Sequence, residues 1–237
     1  MKCNLCGNDR ELKNSHIIPE WVYTDLYDEK HRFNVLATTK IKPRPLEQKG
    51  IREKLLCNDC EQKFSKYEKY AREVIRGGES VLVQKYQNKI LVSDINYTLF
   101  KLFQISVLWR AGISNNEMFS KVDLGPHENT LRNMLIVEDP GSSNKYGCLM
   151  FGIINENDVV SDFIDQPEEL RIDGMRCYRF VFSGFVWVFF VASHSPNTNA
   201  KSFMISEKGV ITICIRQFKE LEYLKRFAKN IHKMRSK

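Results

Sequence analysis

The chain has 237 residues, of which 43% are hydrophobic, and this composition predicts a globular protein with one large or two small domains. Its longest apolar stretch, residues 180–192, is too short for a membrane helix, and no apolar segment of a secretory signal follows Met1, so we expect a cytoplasmic protein without membrane contact. The net charge of +7 permits a polyanionic partner without requiring one.

The first 78 residues are predicted to form one small domain. After an opening Cys-x-x-Cys turn at Cys3, a strand is predicted from Leu12 to Ile18. A long polar stretch then runs to about Gly50, and a stretch of this kind inside a compact domain indicates a function or firm anchoring. From Asn58 the apolar residues recur three and four positions apart, which predicts a helix that the two glycines at 77 and 78 end.

Residues 79–237 are predicted to form a second, α+β domain with a mainly antiparallel sheet. The pattern around Gln87 predicts a hairpin of Val81–Tyr86 with Lys89–Val92. Residues Tyr97 to Ile113 are apolar on most faces, which predicts a buried helix. The remaining predicted elements are a helix at Glu128–Val137, strands at Tyr146–Ile154, Met175–Phe182, Phe185–Ala192 and Val210–Ile215, and a basic helix from about Gln217 to Lys233.

Two Cys-x-x-Cys pairs predict a structural zinc site formed by Cys3, Cys6, Cys57 and Cys60. Each spacing lets two thiolates on one tight turn reach the same ion, and four sulfurs complete a closed tetrahedral site. Cysteines of a cytoplasmic protein stay reduced, which favours metal binding over disulfides. The other three cysteines lie within predicted strands and are interpreted as core residues. The first pair precedes a strand and the second opens a helix, which is the arrangement of a treble-clef zinc finger.

The segment Ser15-His16-Ile17-Ile18-Pro19 lies between the two cysteine pairs. The order of Cys-x-x-Cys, a strand ending in His-Ile-Ile-Pro, and a second Cys-x-x-Cys that opens a helix resembles the HNH (His-Me finger) endonucleases. The resemblance covers about residues 1–76 and is greatest to the zinc-stabilised branch that includes phage recombination endonucleases. It implies a ββα-metal fold and a metal-dependent endonuclease that hydrolyses phosphodiester bonds, with DNA favoured over RNA.

The resemblance also implies roles for single residues. His16 corresponds to the general base that takes a proton from water, and Glu61 corresponds to a ligand of a catalytic Mg²⁺ or Mn²⁺. The family usually has an acidic residue in the position of Ser15 and His or Asn in that of Glu61, so Glu61 is expected to contribute more to the ion. Glu68 is a reserve ligand for the same ion. Asn34 is a substitute for the asparagine that is the middle residue of the HNH motif. The alternative for His16 is a histidine at a strand end whose side chain is bonded to a backbone carbonyl. The alternative for Glu61 is an acidic residue in the first turn that stabilises its helix.

Basic residues flank this candidate site in the sequence. Residues 40–54 contain six Lys or Arg against two Glu, and the last 22 residues, 216–237, contain eight against two Glu. We expect phosphate contacts from the first group, although solvated surface is the alternative. Its members are Lys40, Lys42, Arg44, Lys49, Arg52 and Lys54.

Other functions and partners stay open from the sequence. One alternative is a non-catalytic zinc-finger module that binds nucleic acid or protein. A further alternative, which rests on the family alone, is an effector in a bacterial defence or mobile-element system. The second domain is expected to recognise a target or a protein partner, or to form a homodimer.

Overall fold

The computed structural model describes residues 1–30, 33, 49–196 and 198–222 and has a mixed α+β architecture. Near the N-terminus, strand β1 (Leu12–His16) pairs antiparallel with β2 (Arg52–Cys57), and helix α1 (Asn58–Arg76) follows directly. A 3-10 helix, Glu20–Asp25, follows β1. The strand and helix predicted here are confirmed, whereas β2 was not predicted.

Helix α1 is amphipathic and buries one face, with Phe64 and Tyr67 each 1% exposed. Two acidic residues, Asp59 and Glu61, lie in its first turn, where negative charge interacts favourably with the positive end of the helix dipole. The helix ends at Gly77, whose φ of +86° is a conformation that glycine adopts without steric cost.

Helix α2 (Tyr97–Ile113) lies at the centre of the molecule and confirms the predicted buried helix. The side chain of Asn96 caps its start by accepting a hydrogen bond from the Leu99 N–H. Trp109 packs edge-on against Phe64 of α1, and Phe103 packs against Trp187 of the large sheet. Helix α2 therefore joins the N-terminal elements to the sheet.

The large sheet has eight strands in the order β3-β4-β10-β5-β9-β8-β7, with β6 paired to β5. All neighbouring strands pair antiparallel except β10 and β5, which are parallel. The strands are β3 (Leu82–Lys85), β4 (Lys89–Ser93), β5 (Cys148–Asn155), β6 (Asp158–Val159), β7 (Asp165–Ile172), β8 (Met175–Phe182), β9 (Phe185–Phe190) and β10 (Ile211–Gln217). The remaining helices are α3 (His127–Val137) and the short α4 (Thr198–Lys201), with 3-10 helices at Glu117–Phe119 and Phe218–Glu220.

The strands predicted in this region are present, but β6, β7 and α4 were not predicted, and the predicted final helix differs at its start. Strand β7 was not predicted because its sequence, DQPEELRI, is polar and contains a proline. The predicted final helix is wrong at its start, since Gln217 ends β10 and a 3-10 helix follows; residues 223–237 lie outside the described ranges. Within those ranges, no helix is long and apolar enough to cross a membrane.

One hydrophobic cluster contains residues from both predicted domains. It runs from Cys3 and Leu56 near the N-terminus, through Phe103 of α2, to Trp187 and Ile213 in the large sheet. The division near residue 78 stays a prediction about the chain's units, but the two parts share a buried core.

Candidate functional site

The four cysteines of the two Cys-x-x-Cys pairs lie together. The sulfur atoms of Cys3, Cys6, Cys57 and Cys60 are all within 4.8 Å of one another, and the Cys6 and Cys57 sulfurs are 3.9 Å apart. Sulfurs bound tetrahedrally to zinc at about 2.3 Å are separated by about 3.8 Å, so the observed spacing suits that ion. These four thiols can therefore hold a metal ion such as zinc.

Local backbone geometry brings the first pair to the second. The N–H of Gly7 donates to the Cys3 carbonyl at 2.8 Å, and Gly7 has a φ of +77°, which closes the tight turn around the first pair. The Asn4 N–H donates to the Leu55 carbonyl at 3.0 Å, which fixes this turn against β2. The Cys57 N–H in turn points at the Cys3 sulfur, 3.3 Å away, where it stabilises negative charge.

Burial and the neighbouring thiols raise the pKa of the Cys60 thiol, because four thiolates crowded together repel one another. A bound cation removes that repulsion, so the donor set fits a metal. Within the described ranges, no other group of three or more His, Cys, Asp or Glu residues has its ligand atoms this close. Cys148 and Cys177 are buried in the large sheet, as the sequence indicates.

His16 ends β1 opposite Arg52 of β2. Its side chain is partly buried, and its Nε2 is a buried atom with no hydrogen-bond partner in the part of the chain that the structure describes. The pKa of His16 is lowered to about 4, mainly by burial; the charge of Glu20 acts to raise it, and the charges of Arg52 and Arg110 act to lower it. The imidazole is therefore neutral at pH 7.

Ser15 and Glu61 are in direct contact. The Ser15 side chain is fully buried, and its hydroxyl donates a hydrogen bond to the Glu61 carboxylate in the first turn of α1. Burial raises the pKa of the Glu61 carboxyl, although the Ser15 hydrogen bond and the charge of Arg110 act in the opposite direction. The structure thus brings together the two positions that the family resemblance assigns to ligands of a catalytic ion.

Arg110 of α2 is a site residue that the sequence analysis missed. Its side chain is 1% exposed, and its guanidinium group donates to the His16 carbonyl at 2.6 Å and lies 2.6 Å from a Glu68 carboxylate oxygen. Glu68, the reserve metal ligand of the sequence analysis, is therefore paired with an internal cation. The available signal was compositional, since Lys101 and Arg110 are the only charged residues in α2, which is mostly apolar.

Three of the six basic residues expected to contact phosphate lie in the described ranges. Lys49 and Lys54 are exposed, whereas Arg52 is half-buried near His16. Lys40, Lys42 and Arg44, together with Asn34, lie outside the described residues. The charge run at 223–237 also lies outside them.

Comparisons with models of protein families, with curated proteins and with solved structures give no significant match to this chain.

Proposed function

We propose that the chain is an HNH-type endonuclease that hydrolyses phosphodiester bonds, with DNA favoured over RNA. In this proposal, residues 1–78 form a treble-clef, ββα-metal unit in which a structural zinc supports His16 and Glu61. The observation that carries the proposal is the contact between Ser15 and Glu61 next to His16. It joins, in space, two positions at which the family holds its catalytic ion.

The chemistry of these side chains is consistent with the proposed roles. When bound, Mg²⁺ or Mn²⁺ polarises the scissile phosphate and the leaving oxygen. Glu61 supplies the carboxylate oxygen that such hard cations prefer, and Ser15 holds that carboxylate in place from the buried side. His16 is neutral at pH 7, which is the protonation state that a general base requires.

A nuclease assay on several DNA and RNA substrates with Mg²⁺ and Mn²⁺ tests this proposal. His16→Ala removes the base but leaves the ion, so cleavage should fall by roughly 10²-fold or more while substrate binding survives. Glu61→Gln removes a ligand charge, so higher Mn²⁺ should partly rescue it and should not rescue His16→Ala.

Two controls make the assay specific. His194→Ala changes an exposed histidine outside the site and should cleave as wild type does. Metal analysis should find the same zinc content in every variant, because none of the three residues is a thiolate ligand. If purified wild-type protein cuts no substrate with either metal, or if His16→Ala cuts as well as wild type, the enzyme proposal is wrong.

The ion pair of the buried Arg110 with the partly buried Glu68 favours a second candidate function, a non-catalytic zinc module that binds nucleic acid or protein. Arg110 already neutralises Glu68 and acts on Glu61, and His16 Nε2 is buried, so the site has less need of a second cation. Under this proposal, wild type and His16→Ala bind equally and neither cleaves.

Salt dependence separates the two partners of such a module. For a nucleic acid, the logarithm of affinity falls linearly with the logarithm of salt concentration, with a slope that shrinks by about 0.9 for each phosphate contact to duplex DNA that is lost. Lys54→Gln should show this loss. Affinity that does not change with salt indicates a protein partner.

A further inference from the structure

Arg132 of α3 contacts the turn that carries the first cysteine pair. Its Nε donates to the Asn4 carbonyl at 2.8 Å. Its Nη2 lies 3.4 Å from the position that a Cβ on Gly7 would take, so the guanidinium group also packs against the end of the turn. Asn4 lies between Cys3 and Cys6, and Gly7 follows Cys6. A side chain 128 positions from Asn4 in the sequence therefore touches both parts of this turn.

The backbone of Asn4 is held from two sides. Its N–H donates to the Leu55 carbonyl of β2, and its carbonyl accepts the bond from Arg132 of α3. Strand β2 ends at Cys57, so the first bond connects the first cysteine pair to the second. Helix α3 contains no cysteine, so Arg132 holds the first pair independently of the second.

Helix α3 is itself fixed, which gives Arg132 a defined position. Leu131 and Leu135 are fully buried and anchor one face of the helix. Near the end of α3, the side chain of Lys63 donates to the Ile136 carbonyl at 2.9 Å. Lys63 belongs to α1, the helix that contains Cys60. A residue on a helix that is anchored in this way can orient a neighbouring site without large losses of side-chain freedom.

The charge of Arg132 suits a filled metal site. Among the described residues Arg132 forms no ion pair, whereas Arg10 pairs with Asp59, which lies between Cys57 and Cys60. Four thiolates together carry more negative charge than one Zn²⁺ carries positive charge, so a filled site is anionic. A nearby cation favours the charged form of such groups. The guanidinium group of Arg132 is therefore complementary in charge to the zinc-bound cysteines.

We propose that Arg132 is a positioning residue of the metal site. It braces the turn of Cys3 and Cys6 in the shape that binds zinc, and its charge offsets the negative charge of the zinc-bound thiolates. Residues of this kind do not touch the ion, but they raise metal affinity by orienting its ligands. Zinc binding by the first 78 residues thus depends on a helix outside them. This inference rests on the zinc site of the proposed function and does not depend on nuclease activity.

Zinc competition between the full chain and a chromogenic chelator tests the proposal. Arg132→Gln removes the charge and shortens the side chain, and it should raise the zinc dissociation constant by about tenfold. Arg132→Lys keeps the charge and should recover part of that loss. Arg132 is only partly buried, so salt screens its charge. The difference between wild type and Arg132→Gln should therefore shrink as the ionic strength rises from about 0.01 M to about 1 M.

Arg171→Gln is the matched control. Arg171 donates to the Gly174 carbonyl at 3.0 Å, so this variant removes the same kind of bond at a turn outside the cysteine cluster, and zinc affinity should be unchanged. Circular dichroism should show that all variants are folded, and the absorption spectrum of bound Co²⁺ should show the same four-thiolate coordination in each.

The outcomes separate this inference from the zinc site itself. Unchanged zinc affinity in Arg132→Gln, an equal loss in Arg171→Gln, or no recovery in Arg132→Lys would overturn the role of Arg132 and leave the zinc site standing. A wild type that binds neither Zn²⁺ nor Co²⁺ would overturn both.

Discussion

The guanidinium group of Arg110 lies 2.6 Å from the carboxylate of Glu68, and only 1% of the arginine side chain is exposed. The same guanidinium donates to the His16 carbonyl. One side chain from α2 therefore joins α1 to the end of β1. The candidate site is held by a residue that lies outside the first 78 positions.

Arg110→Met should lower the free energy of unfolding by up to about 3 kcal/mol, because it leaves the Glu68 carboxylate, which is only 21% exposed, without its partner. Urea denaturation measures the change. Lys69→Met is the matched control, since Lys69 is 75% exposed and lies 3.9 Å from Glu73; exposed pairs of this kind contribute less than about 1 kcal/mol. Glu68→Gln combined with Arg110→Met should recover part of the loss. Equal costs for Arg110→Met and Lys69→Met would contradict this account.

Cys57→Ser should remove zinc and lower the melting temperature. Because α1 packs on α2 through Phe64 and Trp109, the loss of order should extend beyond the N-terminal residues. Metal analysis and thermal unfolding provide the measurements. Cys214→Ser is the control, since Cys214 lies in β10 outside the cysteine cluster and should keep the zinc. Freshly purified wild type that contains no zinc would be inconsistent with the site.

Lys101 should make stability depend on pH in the alkaline range. Its Nζ is buried and donates to the carbonyls of Ser142 and Lys145, both at 2.7 Å. Burial lowers the pKa of Lys101 from 10.5 to about 8. Between these values the unfolded chain binds more protons, so the folded state gains stability as pH rises from 8 to 10.5, and below pH 8 the contribution is constant.

Urea denaturation of wild type and Lys101→Met at several pH values isolates this effect, since the other titrating groups are common to both. The difference between their unfolding free energies should shift in favour of wild type by on the order of 3 kcal/mol, at 1.36 kcal/mol per pKa unit. A difference that does not change from pH 8 to 10 would show that Lys101 titrates normally.

The sequence was most informative where local chemistry determines structure. The spacing of the cysteines predicted the cluster that the structure forms, and the apolar periodicity predicted α1 and α2. The candidate site could be predicted in part, because the motif around His16 indicated that His16, Ser15 and Glu61 are its candidate residues. The contact of Ser15 with Glu61 needed the structure, since 46 positions separate the two residues.

Other features could not be predicted because they depend on distant partners. Arg110 carries an ordinary charge that becomes part of the site only when α2 packs on α1. Strand β7 has little β-propensity and exists because β8 pairs with it. Strand β2 begins with the polar residues Arg52, Glu53 and Lys54, so its sequence does not indicate a strand. It is a strand because β1 pairs with it.

The β1–β2 pairing has a consequence for evolution and for protein engineering. The two strands and the bond from the Ile17 N–H to the Ile51 carbonyl hold the ends of the intervening segment close together. The Asn4 N–H also bonds to the Leu55 carbonyl of β2, so this pairing brings the first cysteine pair to the second. Related chains that keep the four cysteines should therefore keep the β1–β2 register, and an engineered insertion within either strand should disrupt the cysteine cluster.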